Sequence, residues 1–170
     1  NQVVIGTPAH NRSSLALRET AGLLIELFPL HIDFDEAETF RSLIDKVGAE
    51  TQAFLRNAMP GASSVAGLKR FNVVLNYIHA TFDPFDNLPM QPDWIHTGHG
   101  DPEHDLRLQL HVLGGSGSFT AYFDFNRATF PAGLREHAMG HFVRLLDAFL
   151  DNPERRISEI SLASDSEREQ

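Results

Sequence analysis

The hydrophobic period of this chain switches between two and about 3.6 residues several times along its length, and no single-class fold accommodates both periods. The clearest case lies in the second half. Leu106, Leu108, Leu110 and Val112 alternate with Arg107, Gln109 and His111, and after Gly114 to Gly117 the alternation resumes in Phe119, Ala121, Phe123 and Phe125. Successive strand side chains point to opposite faces, so this spacing predicts a hairpin turning at the glycines. Next to it, Thr129 to Leu150 carries Leu134, Ala138, His141, Phe142, Leu145, Leu146 and Phe149 at helical spacing, and Asn152-Pro153 ends the run.

The first half repeats the switch. Gln2 to Gly6 is β-branched and apolar and reads as a buried strand stopped by Thr7-Pro8, since proline offers no donor to a ladder. Ser13 to Gly22 reads as a short helix with Gly22 as its stop. Phe28, Leu30, Ile32 and Phe34 alternate as in a half-buried strand, with Pro29 favouring a sheet edge. Asp35 and Glu38 form an acidic capping pair before a helix from Glu36 to Asn57. Phe71 to Ile78 has strand composition, and Asp83 to Asp105 is a long excursion without periodicity. Ile157, Ile160 and Leu162 alternate weakly before a charged end. Strands interleaved with long helices predict an α/β two-layer sandwich, a mixed sheet with helices packed on it.

Composition narrows the function classes. Cysteine is absent, which removes disulfides, thiolate catalysis and Cys-based zinc sites and suits a reducing cytoplasm. A formal charge of −9 opposes binding to nucleic acid and to anionic membranes. Apolar runs fall far short of the ~20 residues of a membrane span. The chain opens on Asn1 almost directly into a strand and reads as a fragment.

Several clusters invite a chemical reading. His96, His99 and His104 with Asp101, Glu103 and Asp105 offer metal-ligating side chains, but Gly98, Gly100 and Pro102 give the stretch no fixed geometry, and a solvated polar loop is the simpler account. His137 and His141 share a helical face without the intervening Glu of a metalloprotease motif, and His141 falls on the apolar stripe, as a satisfied core histidine would. His31 and His111 read as cross-strand neighbours. Gly114 to Ser118 leads into a strand instead of a helix, so it is a hairpin turn and not a phosphate cradle, and Ser116 lacks a nucleophile elbow. No metal and no organic cofactor is assigned to the chain.

The order of motifs carries more. V-V-I-G-T-P-A-H-N-R (Val3 to Arg12), then Glu19, Gly22 and L-F-P-L-H (Leu27 to His31), resembles the late conserved motif of nonribosomal peptide synthetase condensation domains. F-N-V-V-L-N-Y (Phe71 to Tyr77), D-L-R-L-Q-L (Asp105 to Leu110), Y-F-D-F-N-R-A-T-F (Tyr122 to Phe130), H-F-V-R-L-L (His141 to Leu146) and P-x-x-x-I-S-x-I-S-L (Pro153 to Leu162) follow in that family's order.

The resemblance implies the C-terminal lobe of such a domain, residues 1–163, with 164–170 as a charged tail or the start of a linker. Its implied fold is like that of a chloramphenicol acetyltransferase lobe. The implied reaction joins carrier-bound acyl and aminoacyl thioesters through an amide bond. The parent would be an acyltransferase, whereas this chain alone would be inactive, because the family's H-H-x-x-x-D-G segment does not occur in it. Implied partners are the N-terminal lobe, acyl or peptidyl carrier proteins bearing phosphopantetheine arms, and neighbouring synthetase domains. Gly6, Thr7, Pro8 and Arg12 would shape a loop near the active site, with Gly6 admitting close backbone approach, and Asn76 and Tyr77 would lie on an inter-lobe strand. The excursion after them would reach toward the other lobe, and a lobe of this kind is expected to leave an apolar face exposed.

The sequence departs from the family at Glu26, where it has Asn, and at His31, where it has Arg; the R-N-P-L-F stretch reads Leu68-Lys69-Arg70-Phe71, and H-Q-D-x-P-F reads Arg56 to Gly61. An epimerisation domain shares the fold, but no G-x-G-Y-G run precedes the N-Y strand. The rival function is a catalytically silent docking module for a carrier protein or tailoring enzyme.

Overall fold

A computed structural model describes residues 1–64, 71–96, 103–114 and 117–169. Five strands, β1 (Gln2–Ala9), β2 (Glu26–Asp33), β3 (Val73–Ala80), β4 (Leu106–Leu113) and β5 (Thr120–Phe125), form one mixed sheet in the order β2-β1-β3-β4-β5. The outer pairs β1/β2 and β4/β5 are antiparallel, and the inner pairs β1/β3 and β3/β4 are parallel. Pro29 lies on the edge strand β2, where a residue without a ladder donor is tolerated. Helices α1 (Leu15–Glu19), α2 (Phe40–Asn57), α3 (Ala132–Asp151) and α4 (Asp165–Arg168) complete the chain.

The register gives the sheet two distinct faces. Phe28, Leu30 and Ile32 of β2 share one face with Leu108 of β4 and its partner Phe123 of β5. Both long helices cover that face: Phe54 of α2 meets Phe28 at a ring separation of 5.5 Å, and Phe142 of α3 meets Phe123 edge-on at 5.2 Å. The helices touch through Phe40 and Phe149, whose rings are perpendicular at 4.7 Å. The α/β sandwich read from the periodicity is this arrangement.

Local departures from the sequence reading have local causes. β1 does not stop at Thr7-Pro8; it runs to Ala9, and its first residues are exposed instead of buried. Pro8 is accommodated because β1 and β3 share one registered pair, Gly6 with Val74, so the ladder on that side has already ended. α1 ends at Thr20, before Gly22, and buries none of its residues. β3 begins two residues later than the composition suggests.

The N-terminus of α2 corrects the capping assignment. Thr39 is the cap, in a box with Ser42, and the helix starts at Phe40. Asp35 instead accepts the Ala37 N–H at 2.8 Å in a tight turn, which swings Glu38 inward. Buried there, the Glu38 carboxylate takes Ser42 Oγ and Lys46 Nζ, and its backbone oxygen takes the Ile157 N–H at 2.9 Å. The stretch at Ile157–Glu159 is therefore a 3-10 turn tied to this corner, not a strand.

The excursion between β3 and β4 is irregular where it is described. It contains a two-residue turn at Asp86 and Asn87, both at positive φ, closed by reciprocal bonds between Phe85 and Leu88. Among the described residues no helix is long and apolar enough to cross a membrane. Exposed large apolar side chains include Leu15 on α1, Leu23 and Ile25 in the stretch that follows it, and Phe82, Phe85, Leu88 and Ile95 on the excursion.

Candidate functional site

The second face of the sheet carries Gly6, Val74, Asn76, Gln109, His111, Tyr122 and Asp124, because each lies in phase with the Gly6/Val74 pair. Its centre is the seam between β1 and β3. Beyond Gly6 and Val74 both strands continue, β1 through Thr7 and Pro8 and β3 through Asn76 and Tyr77, without a further registered pair between them. Pro8 supplies no N–H to extend the ladder.

At the seam, Gly6 meets the ring of Phe71, not backbone; a Cβ on Gly6 would stand 2.2 Å from Phe71 Cε2. His104, itself buried, stacks on Phe71 with ring centres 5.4 Å apart and planes 9° from parallel. Gly6, Phe71 and His104 thus form a stacked column over the pair that joins the two halves of the sheet.

The other predicted positions divide. Pro8 and Asn76 share the face of Gly6, whereas Thr7 and Tyr77 point to the helical side, where Tyr77 is 61% exposed. Arg12 lies beyond the strand, in the loop that follows a left-handed Asn11. Its guanidinium donates to the carbonyls of Leu17 at 2.7 Å, Thr20 at 2.6 Å and Gly22 at 2.8 Å, closing α1 and the turn after it.

The divergent positions have local explanations. Glu26 accepts the N–H groups of Gly61 at 2.6 Å and Ser63 at 3.1 Å and the Ser63 hydroxyl, so every group meeting it is a donor. The Gly61 N–H, followed by the Ser63 hydroxyl, holds the carboxyl below its ordinary range. An acceptor-only side chain fits that turn. His31 is exposed on the edge strand opposite Val4. Lys69 and Arg70, like Leu68 before them, lie outside the described residues.

A second group on this face was not singled out by the sequence. Gln109 and His111 are buried, at 5% and 3% exposure, and His111 is the cross-strand neighbour of Thr120. The excursion returns across them: Trp94 packs edge-on against His111 at 4.6 Å, and His96 Nε2 lies 3.0 Å from Asp124 Oδ1. Asp124 Oδ2 accepts Gln109 Nε2 at 3.0 Å, and the Tyr122 ring lies 5.0 Å from that of His111. Among the described residues neither ring nitrogen of His111 has a hydrogen-bond partner, and burial pushes its imidazole below the ordinary value. Polar residues in phase on both β4 and β5 were the available signal; alternation alone does not reveal that a loop covers them.

The polar side chains of the His-rich loop turn to different partners where they can be described. His96 turns to Asp124 and His104 to Phe71, while Asp105 accepts the Thr129 hydroxyl at 2.6 Å. His99 and Asp101 lie outside the described residues, as do Gly98, Gly100, Pro102, Gly115 and Ser116. Gly114 and Gly117, at φ 77° and 73°, supply the left-handed turn of the hairpin. His137 and His141 face Glu167 of α4, with His141 Nε2 at 2.9 Å and His137 Nδ1 at 3.6 Å. The Ser164 N–H and hydroxyl, and then His141, draw the Glu167 carboxyl down to about 2.

Comparison with known proteins places this geometry. The family model described as "Condensation domain" matches residues 1–170. A linear gramicidin synthase of Brevibacillus parabrevis is 24% identical over 182 residues, covering 100% of this chain and 2% of that protein. Surfactin synthase subunit 1 of Bacillus subtilis (strain 168) is 23% identical over 178 residues, covering 99% of this chain and 5% of that protein. Among solved structures, the starter condensation domain of rhizomide synthetase superimposes with a TM-score of 0.70 at 20% identity, over 96% of this chain and 40% of that one. A four-domain nonribosomal peptide synthetase bound to AMP and glycine gives 0.76 at 20% identity, over 97% of this chain and 14% of that one. The chain therefore spans a small part of the curated relatives it matches.

Proposed function

This chain belongs to the condensation-domain family, and we propose that it is the C-terminal lobe of a domain that forms an amide bond between carrier-bound thioesters. In the proposed reaction the amine of an acceptor aminoacyl group attacks the donor thioester carbonyl. The C–N bond forms, the C–S bond breaks, and the sulfur leaves with the proton the amine gives up. Both reactants arrive on phosphopantetheine arms of carrier proteins, and neighbouring synthetase domains supply them. Such chemistry fits a cytoplasmic protein.

The observation that carries this reading is the match of the family over the whole chain, 1–170, with the family's late motif falling on the β1/β3 seam. Residues 1–163 are assigned to the lobe and 164–170 to its charged tail or linker. Catalysis of this kind depends on holding two reactants in register and on stabilising charge at the carbonyl oxygen. On this reading Gly6, Pro8 and Asn76 line one wall of the substrate passage, while Thr7 and Tyr77, on the helical face of the same two strands, support it from behind. Gly6 seats Phe71 over the seam, and Asn76 brings an amide that both donates and accepts. Arg12 acts at one remove, by fixing the loop that follows β1. The adjacent histidines of the family's motif belong to the complementary lobe, toward which the apolar tip of the excursion, Phe85 and Leu88, would reach.

The test joins this chain to a complementary N-terminal condensation lobe and follows amide transfer between loaded carrier proteins by mass spectrometry. Asn76→Ala is expected to slow transfer on the order of 10-fold to 100-fold, as misplaced reactants do, with the circular dichroism spectrum retained. An unchanged rate would overturn the assignment of the wall.

A further inference from the structure

We propose that residues 92–96 form an acid-releasable strap over the polar row of β4 and β5, with His111 as its trigger. This goes beyond the amide-forming role and does not depend on it.

Among the described residues the strap is attached through side chains. Trp94 rests against the His111 ring, His96 binds Asp124, and Pro92 lies 3.8 Å from where a Cβ on Gly114 would be. Around it Asp93 and Ile95 are exposed, and Trp94 itself is 40% exposed. Three consecutive residues of the strap, Asp93, Trp94 and Ile95, are thus exposed while its described contacts run through side chains, the type of segment that opens well below the global unfolding free energy.

His111 is the weak point of this cover. It is 3% exposed, in contact with the rings of Trp94 and Tyr122, and among the described residues has no hydrogen-bond partner on either nitrogen. The groups facing it offer no compensation for a positive charge. On β5, Thr120 is its cross-strand partner, Tyr122 is neutral, and Asp124 stands opposite Arg107 with both oxygens engaged, by His96 and Gln109. On β4, Arg107 is a cation on the same face; on β3, Ile78 is the register partner; on the strap, His96 is occupied by Asp124. A neutral imidazole fits this site and an imidazolium does not.

The direction follows. Burial lowers the affinity of His111 for a proton in the covered state, so the cover is favoured above the ordinary histidine value of about 6.5 and weakens as pH falls below it. Release returns the protonated ring to water and uncovers Gln109 and Asp124 with it.

Trp94 is the chain's single tryptophan, so its fluorescence reports on the strap directly. Emission and far-ultraviolet circular dichroism are followed together from pH 8 to pH 5. The expected result is a red shift of emission below about pH 6.5 while the dichroism is unchanged. His111→Phe and His111→Gln cannot titrate and should remove the shift, and His96→Gln should leave it in place. Flat wild-type emission, or an undiminished shift in a folded His111 variant, would overturn the proposal. If neither variant folds, hydrogen exchange of wild-type residues 92–96, corrected for intrinsic rates, decides: acceleration at pH 5 relative to pH 8 supports release, and equal protection contradicts it.

Discussion

Gly6 and Phe71 occupy complementary space: the ring of Phe71 fills the volume a side chain at residue 6 would take, with Cε2 2.2 Å from the missing Cβ position. Gly6 is also the β1 member of the Gly6/Val74 pair that joins β1 to β3. Gly6→Ala must therefore move Phe71 and disturb the seam together. The expected cost is about 1–3 kcal/mol, typical of forcing atoms into a filled site, read from urea denaturation. Phe71→Ala in the same chain should recover part of it, and strictly additive losses would contradict the steric account.

Arg12 is expected to act as a loop staple. Arg12→Ala removes three bonds to the carbonyls of Leu17, Thr20 and Gly22 and should destabilise the chain by about 1–2 kcal/mol. Hydrogen exchange checks the location of the effect: residues 15–24 should lose protection while β4 and β5 keep theirs.

The Glu26 carboxylate is held below its ordinary range by donors in the turn after α2. A depressed carboxylate contributes stability above its unfolded value, near 4.5, and that contribution disappears as pH falls through the lower folded value. Glu26→Gln should therefore lower the thermal midpoint at pH 7 and flatten its dependence on pH below 4.5. Parallel curves for the two proteins would show that the turn does not depend on the charge.

Glu167 extends the same logic to the tail. Its carboxyl is drawn down to about 2, first by the Ser164 N–H and hydroxyl of its own capping box and then by His141 of α3, so the α4 cap and its tie to α3 should persist through mild acid and weaken as pH falls from about 4.5 toward 2. Glu167→Gln should loosen it at neutral pH. Exchange protection of residues 164–169 measures this, and tight protection in the variant would contradict it.

These contacts also show what the sequence could and could not reveal. Phe28, Leu30, Ile32, Leu108 and Phe123 announce themselves because one side of each strand is covered by helices, and periodicity records that side. The other face is covered by chain that has no period. Nothing in the alternation of Arg107, Gln109 and His111 says that Trp94 returns onto His111 or that Gln109 is buried. The helix cap at Thr39 was obscured because Asp35 and Glu38 imitate a capping pair, while the Asp35 side chain serves a turn and the buried Glu38 carboxylate pairs with the half-exposed Lys46. Gly6, Pro8 and Asn76 could be picked out by family resemblance, and the register puts them on one face. That Thr7 and Tyr77 face the other way is a matter of parity, legible only once the strand bounds are known.

The most direct test of the amide-forming assignment supplies loaded donor and acceptor carrier proteins to two samples, this chain alone and this chain joined to a complementary N-terminal condensation lobe. Mass spectrometry then follows the acceptor carrier. The account predicts an amide-linked product on the acceptor in the joined sample and none with the chain alone. Product from the chain alone, or no product from a joined, folded domain whose carriers are fully loaded, would contradict it.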